Sequence, residues 1–303
     1  MDSIQLNAMA KINLGLDVLR QRADGYHEVR MIMQTVHIYD RLQITKTDTP
    51  GIELTTSQRF LPTNESNLAY RAAKLLMDEF QITEGVEISL QKNIPVAAGM
   101  AGGSTDAAAV LIGVNKLFDL GLDAQGLMER GVTIGADVPY CILGGTALAE
   151  GIGEKLTILP EMPQCSILVV KPNINVSTKF VYENLHANDL PAEAHADIDT
   201  QLQALEQGNL SALASAMGNV LQTVTEPAYP VIAELKHVMK EQGAINSMMS
   251  GSGPTVFGLY EEEETAKKAY WKLRMAYPEY QIYLTKPCSG TQITATEGEA
   301  VND

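Results

Sequence analysis

The chain has 303 residues, 45% of them hydrophobic, and a formal net charge of −15, so it can build a real core over two ordinary domains, and nucleic acid and anionic membranes, which call for basic surface, are not expected partners. Cys141, Cys165 and Cys288 are far apart and form no CxxC or zinc spacing, an odd count that suits a reducing cytoplasm. No basic-then-apolar leader opens the chain and no run approaches ~18 apolar residues, so a cytoplasmic protein without a membrane span is expected.

Five short strand patterns come first: "IQLNAMAKI", "NLGLDVL", "RMIMQTVHI", "RLQITKT" and "GIELTT". A helix follows in "ESNLAYRAAKLLMDEF", where Leu68, Ala72, Leu75, Leu76 and Phe80 share one apolar face. "GVEISLQKNIP" reads as a strand ended by Pro95. The glycine-rich stretch "PVAAGMAGGSTDAAAVL" then leads into a helix whose buried face is Ala107, Val110, Leu111, Val114, Leu117 and Phe118. Ser104, Thr105 and Asp106 are predicted to cap its start, since their oxygens accept free N–H groups. "DAQGLMERGVT" predicts another helix, and "TALAEGIGEKLTIL" a hairpin turning at residues 151–153.

Two prolines in "LPEMPQ" place a boundary near residues 159–164. The domains read as 1–160 and 161–290, with an acidic, frayed tail over 291–303. The second half predicts a strand in "SILVVKP", helical stretches over about 177–240, strands in "AINSMM" and "TVFGLY" around a tight "SGSGP" turn, a helix in "ETAKKAYWKLRMA" and a strand in "YQIYLTK". "LHANDLPAEAHADIDTQ" is polar and reads as a surface excursion. Strands and helices mix in both halves without regular alternation, which makes the fold class α+β.

The glycine-rich loop lies between a strand and a helix. That geometry aims free N–H groups and the positive helix end at one point, a place for an anion such as phosphate. Gly99, Gly102 and Gly103 remove the Cβ atoms that would hold a phosphate away, and Ser104 and Thr105 offer hydroxyls. On spacing alone, a tight turn with an ordinary cap accounts for it equally well. No Gly-Lys pair exists for a Walker loop, no GxGxxG for a dinucleotide fold, and neither HRD nor DFG for a protein kinase.

Four segments in order, "AMAKINLGLDVLRQRADGYHEV", "PVAAGMAGGSTDAAAVL", "GADVPYCILGGTALAEG" and "SGSGPTVFGLY", resemble the small-molecule kinases of the GHMP family. The resemblance covers roughly residues 5 to 285. It implies a two-domain GHMP kinase fold, with an N-terminal ribosomal-protein-S5-like domain and a C-terminal ferredoxin-like α/β sandwich. The active site would lie in the cleft between them. The wider family writes its loop as GLGSS; here Met100 replaces the leucine and Gly102 and Gly103 lengthen the run. The longer run is similar to the branch that phosphorylates the 2-hydroxyl of a cytidyl diphosphate of a branched polyol, with Thr105 where that branch usually has Ser.

The resemblance also implies roles. ATP would be the phosphoryl donor, accompanied by Mg²⁺ with no protein metal ligand assigned. Its phosphates would lie on Pro95, Val96, Ala97, Ala98, Gly99, Met100, Ala101, Gly102, Gly103, Ser104 and Thr105. Asp137 matches the general base and Lys11 its partner; alone, each reads as a turn former and a solvated strand lysine. Tyr26 and His27 would hold the cytosine, with Tyr182 a second ring across the base, and Asn13 and Pro172 are further substrate positions. A smaller-alcohol kinase of the family and a silent binding module are the competing readings. The state is expected to be monomer or homodimer.

Overall fold

The structure, a computed structural model, describes residues 2–23 and 25–288. The tail predicted over 291–303 lies outside the described residues. The first four strand patterns prove to be two long strands, β1 (Ser3–Gln21) and β2 (His27–Thr47), paired antiparallel from Ser3 opposite Thr45 to Gln21 opposite His27. The apparent breaks are register irregularities between Met9 and Ala10 and between Asn13 and Gly15. A bulge bends and re-aims a strand without ending it.

β3 (Gly51–Thr56) runs parallel to β4 (Gly85–Gln91), and β4 pairs antiparallel with β2. The other end of β2 pairs with β5 (Thr146–Gly151), which turns into β6 (Lys155–Ile158) as the hairpin pattern predicts. Helices α1 (Leu68–Glu79) and α2 (Gly102–Leu117) cover one face of this sheet. Leu76, Val110, Leu111 and Val114 pack there with Leu6, Leu42, Ile44 and Ile88. Two further helices follow, α3 (Ala124–Ile134) and α4 (Val138–Leu143). At six residues, α4 is too short to show a helical period, and "ADVP" reads as a turn.

In the second half, β7 (Ser166–Lys171) lies between β11 (Gln281–Thr285) and β10 (Val256–Tyr260), and β9 (Asn246–Met249) pairs with β10. Its helices are α5 (Thr178–Glu183), α6 (Ile198–Glu206), α7 (Leu210–Ala216), α8 (Gln222–Ala228), α9 (Val231–Glu241) and α10 (Glu263–Ala276). Leu235 and Met239 of α9 and Ala266 and Leu273 of α10 pack with Leu168 and Val170 of β7. A separate apolar layer joins the two sheets: Ile12, Leu14 and Val36 from the first, Ile167, Val169 and Phe257 from the second, and Met100 from the glycine-rich loop. Cutting one such buried Leu or Ile to Ala costs about 2–5 kcal/mol. The loop is therefore rooted in core.

One reading of the sequence holds in part and another needs correction: most of the polar segment is exposed, but its end is anchored. The polar excursion folds back onto the first sheet: Ala196 and Ile198 are buried, His195 Nδ1 lies 2.8 Å from Asp17 Oδ1, and Arg30 Nη2 lies 2.8 Å from Asp199 Oδ1. A two-residue strand, β8 (Gly218–Asn219), then pairs parallel with Gly15 and Leu16 of β1, so a piece of the second half completes the first sheet. Second, α2 starts at Gly102 behind Ala101, whose backbone is left-handed at φ 57, and no side chain caps it. Thr105 and Asp106 lie inside the helix and are buried. Asp106 turns away from the helix end to bond Lys92 at 2.7 Å.

Candidate active site

A cleft of about 560 Å³ opens where β1, β2, the glycine-rich loop, α4, α5 and the turn after β9 converge. Lys11 projects into it from β1, beside Asn13, whose Oδ1 accepts from Lys11 Nζ at 2.7 Å. Residues two apart on a strand share a face, which is why this pair can meet. Asp137 stands immediately before α4, but its carboxylate makes no cap bond. It faces the cleft, with Oδ2 3.8 Å from Lys11 Nζ and its side chain 32% exposed against 6% for Lys11. That separation exceeds a hydrogen bond, so one oxygen on the cleft side could contact both groups.

The loop is held by backbone contacts. Lys11 N donates to Met100 O at 3.2 Å. Ser250 Oγ donates to Gly99 O at 2.9 Å and accepts from Asn13 N at 3.3 Å. Gly99 has φ +70, and a Cβ there would lie 2.2 Å from Ser250 O. Glycine is required twice over, by backbone angle and by space. Ala97 and Ala101 also carry positive φ, 52 and 57, a strained state for L-residues that clusters at functional sites. With Ala101 shaping the turn, the first N–H groups of α2 have no side-chain cap, and Gly102, Gly103 and Ser104 line the cleft.

The loop divides two cavities. Ala97, Gly102 and Gly103 line the cleft on one side and a slot of about 170 Å³ on the other. Leu61, Asn67, Leu90 and Lys92 line the slot with Pro95 and Val96. The sequence reading missed this slot; its residues come from a loop, a helix start and a strand end with no common motif.

Two rings also line the cleft: His27 opens β2 and Tyr182 rides on α5, from opposite halves of the chain. Their ring centroids are 5.0 Å apart at 43°. Tyr26 stands at the rim, 61% exposed. Burial lowers the His27 pKa below 6.5, so the imidazole is neutral at pH 7 and offers one donor and one acceptor. Thr178 and Ser252, which the sequence reading did not single out, bond each other at 2.8 Å across the cleft wall. Ser252 lies in the "SGSGP" segment already marked as a tight turn, the one signal available for it.

The expected site residues thus divide. Lys11, Asn13, Tyr26, His27, Ala97, Ala98, Gly99, Ala101, Gly102, Gly103, Ser104, Asp137 and Tyr182 share the cleft. Pro95 and Val96 face the slot. Met100 is fully buried beneath the loop and Thr105 inside α2. Pro172 is buried after β7, away from the cleft.

The family follows from the comparisons. The chain matches the GHMP kinases N terminal domain over residues 67–145 and GHMP kinases C terminal over residues 201–279. It belongs to the GHMP kinases. Among its relatives is 4-diphosphocytidyl-2-C-methyl-D-erythritol kinase of Lachnospira eligens, 53% identical over 94% of this chain and 99% of that protein. The enzyme of the same name from Lachnoclostridium phytofermentans is 50% identical over 94% and 98%. A solved 4-(cytidine 5'-diphospho)-2C-methyl-D-erythritol kinase superposes with TM-score 0.80, at 33% identity over 94% of this chain and all of that one. Homoserine kinase from Cytophaga hutchinsonii superposes with TM-score 0.81 at 19% identity, covering 98% of each chain, a likeness of fold. Among the described residues no helix is long and apolar enough to cross a membrane.

Proposed function

We propose that the chain transfers the γ-phosphoryl group of ATP to the 2-hydroxyl of 4-diphosphocytidyl-2-C-methyl-D-erythritol, a step in the non-mevalonate route to isoprenoid precursors. The observation that carries this reading is the pairing of a Lys–Asp site with a ring cluster in one cleft. Tyr26, His27 and Tyr182 line the same cleft as the glycine-rich loop, Lys11 and Asp137. An acceptor with a flat heterocyclic handle fits such a layout. A small alcohol without one leaves the rings idle. Cytosine stacks between Tyr26 and Tyr182, and neutral His27 bonds its edge.

The donor lies along the loop, its phosphates on the N–H groups at the start of α2 and its base in the slot beyond Gly102 and Gly103. The acceptor hydroxyl sits between Asp137 and the γ-phosphorus. Its oxygen attacks as the Asp137 carboxylate takes its proton. The bond from phosphorus to the bridging oxygen breaks, and ADP leaves. Lys11, oriented by Asn13, stabilises the charge that develops on the attacking oxygen.

The donor groups around the loop are hydroxyls and backbone N–H groups, and the described residues hold no cluster of three or more His, Cys, Asp or Glu fit for a metal. Of these only the Ser104 hydroxyl at the cleft wall could reach Mg²⁺; the ion would arrive on phosphate oxygens, keep waters in its shell and neutralise phosphate charge.

ADP release with Mg-ATP, using the cytidyl substrate and 2-C-methyl-D-erythritol 4-phosphate in parallel, tests the reading. Turnover of the first alone is expected, and a preference for homoserine or mevalonate would overturn it. Replacing Tyr26 and His27 together by Ala is expected to raise the acceptor KM more than it lowers kcat.

A further inference from the structure

The turn after β9 is built from small residues, yet it sits between the catalytic strand and the phosphate loop. Something outside the turn must fix its position. Ser250 supplies one bond to the loop, at Gly99 O. A Cβ added to Gly251 would lie 3.2 Å from Gly99 Cα, so the two backbones are nearly in contact. A small shift of the turn therefore moves the loop.

Asn219 grips this turn from behind. It is the second residue of β8 and is 4% exposed. Its Nδ2 donates to Met249 O at 2.9 Å and to Gly251 O at 2.8 Å, and its Oδ1 accepts from Leu221 N at 3.0 Å. Two carbonyls facing one side-chain atom require that atom to be the amide nitrogen, so the orientation of the carboxamide is determined. Gly251 and Leu221 both line the cleft. The main chain of the same two-residue strand is tied to β1: Gly218 and Asn219 pair with Gly15 and Leu16, and Val220 N donates to Leu16 O at 2.9 Å. One residue thus joins the strand that carries Lys11 to the turn that backs the phosphate loop.

We infer that Asn219 is a positioning residue for phosphoryl transfer: its carboxamide sets the register of the turn against the phosphate loop, and through it the distance from the donor phosphates to Lys11 and Asp137. The inference rests on the kinase reading above. No other side chain of this size fills the role. Asp would aim a carboxylate at two carbonyl oxygens, and Leu would leave both carbonyls and one N–H without partners in a buried place. Displacing reacting groups by about 1 Å costs up to about a hundredfold in rate.

The test compares the wild type with Asn219→Asp and Asn219→Ser in kcat, KM for ATP and for the cytidyl acceptor, equilibrium affinity for a fluorescent ATP analogue, and Tm. N219D is expected to lower kcat about tenfold to a hundredfold and to weaken nucleotide affinity, with the folded far-ultraviolet spectrum retained. N219S keeps one donor and is expected to fall between, which serves if N219D does not fold. Wild-type kcat and nucleotide affinity in either folded variant, with only Tm reduced, would show that Asn219 is merely structural and overturn the inference. Silence of the wild type with the cytidyl acceptor would instead overturn the substrate reading. The nucleotide affinities would still decide on Asn219.

Discussion

Two buried lysines of the first half, Lys11 and Lys92, meet aspartates, and they do so on different terms. Lys11 reaches one carboxylate, Asp137, across 3.8 Å at the wall of a cleft. Lys92 lies between Asp40 and Asp106, with every one of these side chains at most 4% exposed. Asp40 also accepts from the backbone N–H groups of Asn93 at 2.5 Å and Ile94 at 2.8 Å. The enclosed group spends its bonds on protein and ties β2, the end of β4 and α2 together. The open pair leaves carboxylate oxygen free for a ligand. Residue type is the same in both places; what separates them is how many bonds the carboxylates have already made within the protein.

Removing Asp137 should give the largest effect on activity. Asp137→Asn is expected to lower kcat by about 10²–10⁴-fold, the usual worth of a positioned general base. Tm should hardly change, because the carboxylate makes no cap bond to α4. Retention of most of the turnover would erase the contrast from the catalytic side.

The converse belongs to the enclosed group. Asp40→Ala is expected to destabilise the fold by about 3–5 kcal/mol, the range for removing one partner of a buried ion pair, read from urea unfolding. It leaves two backbone N–H groups and an ammonium short of a partner in the core. A variant as stable as the wild type would show that the group is not the scaffold its burial suggests.

How much of this was legible in the sequence depends on range. Lys11 and Asp137 were singled out because each sits in a recognisable segment, although nothing in the segments states their separation. The enclosed group was missed because its members are 52 and 14 positions from Lys92, and because Asp106 satisfies a local rule. An acidic residue near a helix start reads as a cap; here a buried lysine outcompeted the helix end for it. The strand breaks at Asn13 and Gly15 failed for a related reason, since a bulge and a turn use similar residues and only pairing with β2 distinguishes them. Asn219 carried no signal at all: a two-residue strand has no period, and its value comes from the partners of its side chain.

The smallest expected effect tests which carboxylate of the enclosed group holds a proton. Both face one ammonium, but Asp40 has two backbone donors besides Lys92, whereas Asp106 Oδ1 is buried with no partner. Burial raises the Asp106 pKa well above 3.8, with Lys92 opposing the shift and the charge of Asp40 adding to it. A raised value means that the folded chain holds this proton more tightly than the unfolded chain does. The resulting stability is complete below about pH 4, where the unfolded carboxyl is protonated too, and is lost as pH rises through the raised value. Asp106→Asn copies the shape of the protonated acid and has no proton to lose. Urea midpoints of the two proteins, followed upward from pH 4, should therefore separate, with the wild type falling relative to the variant. Parallel curves would mean that Asp106 is ionised in the fold, and the enclosed group would then carry the net negative charge that its burial argues against.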